Sequence, residues 1–186
     1  MKINIKNMVC DRCISAVEAI FKDLNVHIAA LELGVVETLD DISPATLQIL
    51  NDHLQKQGFK ILDDAVKTQI EQIKKIIILK INELDIAEDF TLSKFVSTHF
   101  ARDYSSLSKT FSLHQNVTLE QYFILQKIEK VKELLLYNEF TLTEISQKLG
   151  YKSVQHLSAQ FRNTTGFTPT SFKKLKSKNR ISLDQI

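Results

Sequence analysis

The sequence predicts an α+β domain of plan βαββαβ followed by an all-α half that holds two helix-turn-helix units. Three observations carry this. Residues 1–64 alternate short apolar segments with two amphipathic stretches. Residues 90–122 recur as residues 140–172, fifty positions later. The charge is divided as well: residues 1–64 hold six Lys/Arg against ten Asp/Glu, while residues 90–186 hold fourteen against seven.

The first element is "KINIKNM", whose alternation of polar and apolar residues is that of a strand. "CISAVEAIFKDL" follows with Ile14, Val17, Ile20 or Phe21, and Leu24 on one face, as a helix requires. "VHIAALELGVVETL" gives two strands around a turn at Gly34. In "SPATLQILNDHLQKQGF" Ser43 stands at the N-cap, Pro44 at the first helical position and Gly58 at the stop. "KILDD" supplies the last strand. This order is the ferredoxin-like plan, expected over residues 1–64. Val66, Ile70, Ile73, Ile77, Ile81 and Leu84 then mark an amphipathic helix that opens the second domain, residues 65–178.

The repeat defines the second domain. "FTL" at 90–92 matches "FTL" at 140–142, Leu107, Ser108 and Phe111 match Leu157, Ser158 and Phe161, and Asn116 falls on Gly166. Thr141 and Glu144 form a capping box for a short helix that Gly150 ends. A second helix starts near Ser153 and closes at Gly166, with Pro169 barring its continuation. In the first copy Asn116 takes the left-handed stop, for which Asn ranks next after Gly. Thr118 and Gln121 suggest another capping box, opening a long helix to about Tyr137 with Tyr122, Leu125, Ile128, Val131, Leu134 and Leu135 on its apolar face. Residues 179–186 are expected to be a disordered tail, and everything after Lys176 a basic end.

Composition bounds the function. Hydrophobic residues make up 44% and charged residues 25%, ordinary for a folded soluble chain, and the longest aliphatic run, "IIIL", is far short of a bilayer span. No membrane partner is expected, and two cysteines in the whole chain fit a reducing cytoplasm. No Gly-rich phosphate loop, H-E-x-x-H or Ser/His/Asp arrangement occurs, so an enzyme is not expected.

With the repeat in place, residues 66–176 resemble the DNA-binding domain of AraC-type transcription regulators, most closely in "KIEKVKELLLYNEFTLTEISQKLGYKSVQHLSAQFRNTTGFTPTSFKK". The resemblance implies seven helices and duplex DNA as the partner, with each unit's second helix in a major groove. The family's contact positions fall here on Val154, Gln155, Ser158 and Ala159, and in the first unit on Tyr104, Ser105, Ser108 and Lys109. Gln155 suits an adenine edge, and Val154 or Ala159 a thymine methyl. Ala159 departs from the arginine many members carry, which shifts phosphate attraction onto Lys109, Lys152, Arg162, Lys173 and Lys174. A solvated helix face is the plainer account of the serines.

The N-terminal "MVCDRC" resembles the metal loop of heavy-metal-associated domains, with Asn7 where their glycine stands and Gly58-Phe59 matching their Gly-aromatic pair. The resemblance implies Cys10 and Cys13 as ligands for Cu(I) or another soft ion, a choice that sulfur chemistry favours. A closed zinc site would need four ligands. A thiol switch and a metal-free interaction domain stay open beside it, and Met8 is expected in the core. A thioredoxin-like enzyme is not expected, because neither Pro44 nor Pro169 lies before a C-terminal strand of this domain. The expected function is a sequence-specific DNA-binding transcription regulator, responsive to a soft metal through Cys10 and Cys13, with a homodimer or another protein engaged by the N-terminal domain. The alternative is a metal-trafficking protein whose helical half serves a partner.

Overall fold

The computed structural model describes residues 1–174 and Leu183. They divide into two compact units, Met1–Ile76 and Ile77–Ile186, so the division falls inside a helix, twelve residues beyond position 64. The expectations for residues 179–186 and for the basic end after Lys176 lie outside the described residues, Leu183 apart.

The first unit is a four-stranded sheet with two helices on one face. In chain order it runs β1 (Lys2–Lys6), α1 (Asp11–Asp23), β2 (Ile28–Glu32), β3 (Val35–Thr38), α2 (Pro44–Lys56) and β4 (Lys60–Leu62), and it ends in the first turns of α3 (Ala65–Asn82). The strands lie in the order β2-β3-β1-β4, and every neighbouring pair is antiparallel. Period-2 alternation decides which face is buried. Ile3, Ile5, Val36 and Ile61 turn one way, onto Val17, Ile20 and Phe21 of α1 and Leu50 and Leu54 of α2. Met8 and Phe59 close the same core, as expected for Met8. The caps hold too: Ser43 accepts the Thr46 N–H at 3.1 Å, and Gly58 takes the left-handed conformation past α2.

On the sheet's other face, Lys2 pairs with Glu37 at 3.6 Å, and Leu62 is buried opposite Asn4. Two side chains one turn apart on α3 reach this sheet. Glu71 accepts the Asn7 N–H at 3.4 Å, and Lys75 meets Glu32 at 3.5 Å. Two residues expected on the buried stripe of α3 do not lie there. Val66 is exposed in the first turn, and Leu84 falls beyond the helix in a left-handed turn.

The second unit is all-α: the end of α3, then α4 (Leu92–Phe100), α5 (Tyr104–Gln115), α6 (Leu119–Tyr137), α7 (Leu142–Lys148), α8 (Val154–Thr165) and α9 (Pro169–Lys174). Seven helices are thus seen among its described residues. The repeat is real at the level of packing: Leu107 and Phe111 are buried on α5 as Leu157 and Phe161 are on α8. Each buried Phe contributes about 1.5–3 kcal/mol. Thr118 caps α6 by accepting the Gln121 N–H, and Thr168 caps α9 by accepting the Ser171 N–H, both at 3.1 Å. Pro169 therefore does more than stop α8: it opens α9 at the position where a missing N–H costs nothing. Of the two expected capping boxes, Thr141 and Glu144 show both bonds, while Thr118 and Gln121 show the single one.

Candidate nucleic-acid interface

Each second helix of the repeat is rotated by its buried pair. With Leu107 and Phe111 inside, positions 105, 108 and 109 of α5 share the outer face, as do 155, 158, 159 and 162 of α8, by the three- and four-residue spacing of a helix. Ser105, Lys109, Gln155, Ala159, Arg162 and Lys152 are exposed, while Tyr104, Ser108, Val154 and Ser158 are half-buried. The structure thus brings Ser105, Ser108 and Lys109 into one stripe and Gln155, Ser158, Ala159 and Arg162 into another, with Tyr104 and Val154 as the first residues of the two helices and Lys152 just before α8. His156 stands at the margin of the second stripe, edge-on to Tyr151 with ring centres 5.4 Å apart.

The two stripes start differently. Ser153 caps α8 by accepting the His156 N–H at 3.1 Å, a neutral cap beside Lys152. Asp103 caps α5, accepting the Ser106 N–H at 3.1 Å and the Ser105 hydroxyl; the Ser105 hydroxyl and the Ser106 N–H hold its carboxyl below the ordinary range. Tyr104 donates its hydroxyl to the Glu120 carboxylate in the first turn of α6. Burial first, and then that carboxylate, push the phenol well above its ordinary value, so it stays neutral. Among the expected contact residues, both Tyr104 and Ser105 have hydroxyls that are already engaged. No local sequence signal joins residues 104 and 120.

Lys127 of α6 is a further cation the sequence pattern did not single out. It is only 7% exposed, and its Nζ stands 3.7 Å from the centre of the Tyr151 ring and 5.5 Å from that of Phe123. Burial lowers its pKa to about 8. The aromatic faces return part of that cost, because a ring face attracts a cation. Tyr151 in turn donates its hydroxyl to Gln160 of α8 at 2.8 Å, and its own pKa is raised by burial.

In the first unit, Cys10 is the N-cap of α1 and Cys13 its third residue, with the sulfurs 3.6 Å apart. Burial raises the Cys13 thiol above its ordinary value, and the Cys10 sulfur beside it adds to this. At Cys10 burial acts the same way but is outweighed by the backbone and side chains of Cys13 and Arg12, and its pKa is lowered. Asn7 takes a left-handed turn with φ 71°, a conformation that asparagine tolerates better than most residues. Its side chain donates to the Gly58 carbonyl at 2.8 Å, so Gly58 does reach the cysteine loop. Among the described residues no group of three or more His, Cys, Asp or Glu side chains could hold a metal. The two sulfurs suit a soft ion of low coordination number and do not make a closed zinc site.

Residues 96–175 match the family model described as a helix-turn-helix domain. The chain is 27% identical over 118 residues to the Msm operon regulatory protein of Streptococcus mutans, covering 60% of this chain and 38% of that protein. It is 30% identical over 78 residues to the xylose operon regulatory protein of Haemophilus influenzae, covering 42% of this chain and 20% of that one. The chain therefore spans well under half the length of these relatives. Among solved structures, the C-terminal domain of AraT, a response regulator from Geobacillus stearothermophilus, superposes with a TM-score of 0.52 at 19% identity, over 64% of this chain and 92% of that one. The match at residues 96–175 is to a helix-turn-helix domain, and the helical half shares its fold with that solved domain. No helix among the described residues is long and apolar enough to cross a membrane.

Proposed function

We propose that this chain is a sequence-specific DNA-binding transcription regulator, with α5 and α8 as its two recognition helices. The observation that carries the reading is the duplicated outer stripe, Ser105/Ser108/Lys109 and Gln155/Ser158/Ala159/Arg162, within a helix-turn-helix domain. A recognition helix lays its N-terminal half against base edges in the major groove. The Gln155 amide can pair with both polar groups of an adenine edge, and Ala159 is small enough to meet a thymine methyl. Lys109, Lys152 and Arg162 supply phosphate attraction. The reading as a metal-trafficking protein is not favoured, since the similarities lie with regulators of transcription.

The N-terminal unit completes the reading as a ferredoxin-like, heavy-metal-associated-like input domain, supported by its strand order and its helix pair on one face. Cys10 and Cys13 would hold a soft ion such as Cu(I) between two sulfurs, supported by their 3.6 Å separation at a helix start. The test selects a binding site from random duplex DNA with the reduced full chain. Enrichment of one site is expected. Equal binding to all sequences, however steep in salt, overturns the regulator reading. Titrating that site with and without stoichiometric Cu(I), against Cys10→Ser/Cys13→Ser, tests the input. A shift of about tenfold confined to the wild type is a coupling of about 1.4 kcal/mol.

A further inference from the structure

The Cys10/Cys13 loop holds a chemistry that needs no third ligand. Cys13 donates its N–H to the Cys10 carbonyl at 2.9 Å, a tight turn that keeps the two α-carbons within the separation a disulfide spans, under about 7 Å. The sulfurs stand 3.6 Å apart as free thiols, and both residues are half-buried, open to a small reagent. Bringing them to the bonded distance of about 2.05 Å needs side-chain rotation and no movement of the helix.

The loop also carries a consequence of closure. The Cys13 thiol donates to the Asn7 carbonyl at 3.9 Å. The same Asn7 gives its N–H to Glu71 of α3 and its side-chain amide to the Gly58 carbonyl. A disulfide has no S–H, so oxidation removes the donor that Asn7 faces. The backbone there is already in the left-handed region, where a residue other than glycine needs outside support.

We propose that Cys10 and Cys13 are a reversible dithiol–disulfide site for low-molecular-weight disulfides, and that closing it loosens the Asn7 turn and its bond to α3. The Cys10 sulfur attacks one sulfur of the reagent, breaking its S–S bond and expelling one thiol. Cys13 then attacks the Cys10 sulfur of the mixed disulfide and expels the second thiol. The protein loses two hydrogens, and the reagent is reduced to two thiols. A soft ion needs both sulfurs reduced, so oxidation would also remove that ligand pair.

The test equilibrates the full chain, in chelator-treated buffer, with reduced and oxidised glutathione at graded ratios, followed by quenching, alkylation and mass measurement. The expected product is two hydrogens lighter than the dithiol and carries no glutathione, while Cys13→Ser stops at a glutathione adduct on Cys10. Hydrogen exchange at the Asn7 amide should rise several-fold in the oxidised chain. Wild-type protein that accumulates the adduct, or keeps both thiols open to alkylation in oxidising mixtures, overturns the site. A closed disulfide with unchanged exchange at Asn7 overturns its link to α3. No DNA is involved, so the outcome is separate from that of the regulator reading.

Discussion

Fifty residues apart, the same aromatic pair closes each helix-turn-helix copy: Phe111 meets Tyr122 at 5.3 Å, and Phe161 meets Phe172 at 5.5 Å. The starts and turns of the copies share much less. The second copy opens on a full capping box, turns at Gly150 and caps its outer helix with neutral Ser153. The first opens on Thr91 without a side-chain cap, turns at Ala101 with φ 49° and caps its outer helix with Asp103. Buried contacts constrain residue type on every side, so the core keeps its pattern. Caps and turns each contribute separately, so the two copies can differ there without losing the fold.

The turns give the largest effect and a sign reversal. A Cβ at Gly150 would lie 2.7 Å from the Ala87 carbonyl oxygen and from Ile86 Cγ2, in a backbone at φ 64° that side chains disfavour. That backbone cannot give way easily, because the Ile86 N–H is bonded to the Lys148 carbonyl at 3.0 Å. Gly150→Ala is expected to cost about 2–5 kcal/mol in urea unfolding. Ala101→Gly should instead stabilise by about 0.5 kcal/mol, the relief of left-handed strain being partly offset by a more flexible unfolded chain. Equal and small effects at both sites would dissolve the contrast.

Lys127 tests how the long helix between the copies tolerates a cation. Its folded pKa of about 8 lies below the ordinary 10.5, so folding disfavours its charged form. Between those values the unfolded chain binds more protons, and this group makes stability rise with pH. Below about pH 8 both states are protonated and the penalty is constant. Lys127→Met should therefore raise stability at pH 7 by about 1–3 kcal/mol and flatten the slope between pH 8 and 9.5. A loss of stability at pH 7 would mean that the contacts with Tyr151 and Phe123 outweigh desolvation.

The caps give a smaller contrast. Thr141 accepts the Glu144 N–H at 3.3 Å, and its own N–H donates to the Glu144 carboxylate at 2.7 Å. Thr91, in the matching position, turns its hydroxyl to the Asp89 carbonyl at 3.3 Å. Thr141→Ala should cost about 1 kcal/mol and Thr91→Ala a few tenths, measured by thermal unfolding. Similar losses at both would show that Thr91 caps its helix in solution.

These contrasts also mark how far the sequence could be read. The repeat, the left-handed stop at Asn116, the box at Thr141 and the cap at Ser43 rest on short-range rules, and all four stand in the structure. The turn at Ala101 carries no such signal, since alanine neither favours nor advertises a positive φ. Lys127 is spaced like any solvated helix residue, and only the rings of Tyr151 and Phe123, contributed by tertiary packing in part, show that it is buried. The Tyr104–Glu120 bond joins two helices, so it could not be found by inspecting either one. Asn7 lies in a left-handed turn with φ 71°, a conformation that its asparagine side chain tolerates but does not by itself announce.

The smallest expected effect bears on DNA. Phosphates repel the carboxylate of Asp103, which is exposed at the start of α5, whereas Ser153 at the start of α8 carries no charge. Asp103→Asn keeps a good N-cap, since an asparagine oxygen can still accept the Ser106 N–H, and removes one negative charge from the first stripe. On a selected site, affinity should rise by a small factor at low salt, and the gain should fade as salt screens the charge. Ser153→Asp is the mirror substitution and should weaken binding by a similar factor with little effect on folding. If both variants change affinity in the same direction, the two starts do not face phosphate alike, and the duplicated stripe would not mean duplicated docking. Opposite signs would show that the first copy gives up electrostatic attraction that the second retains.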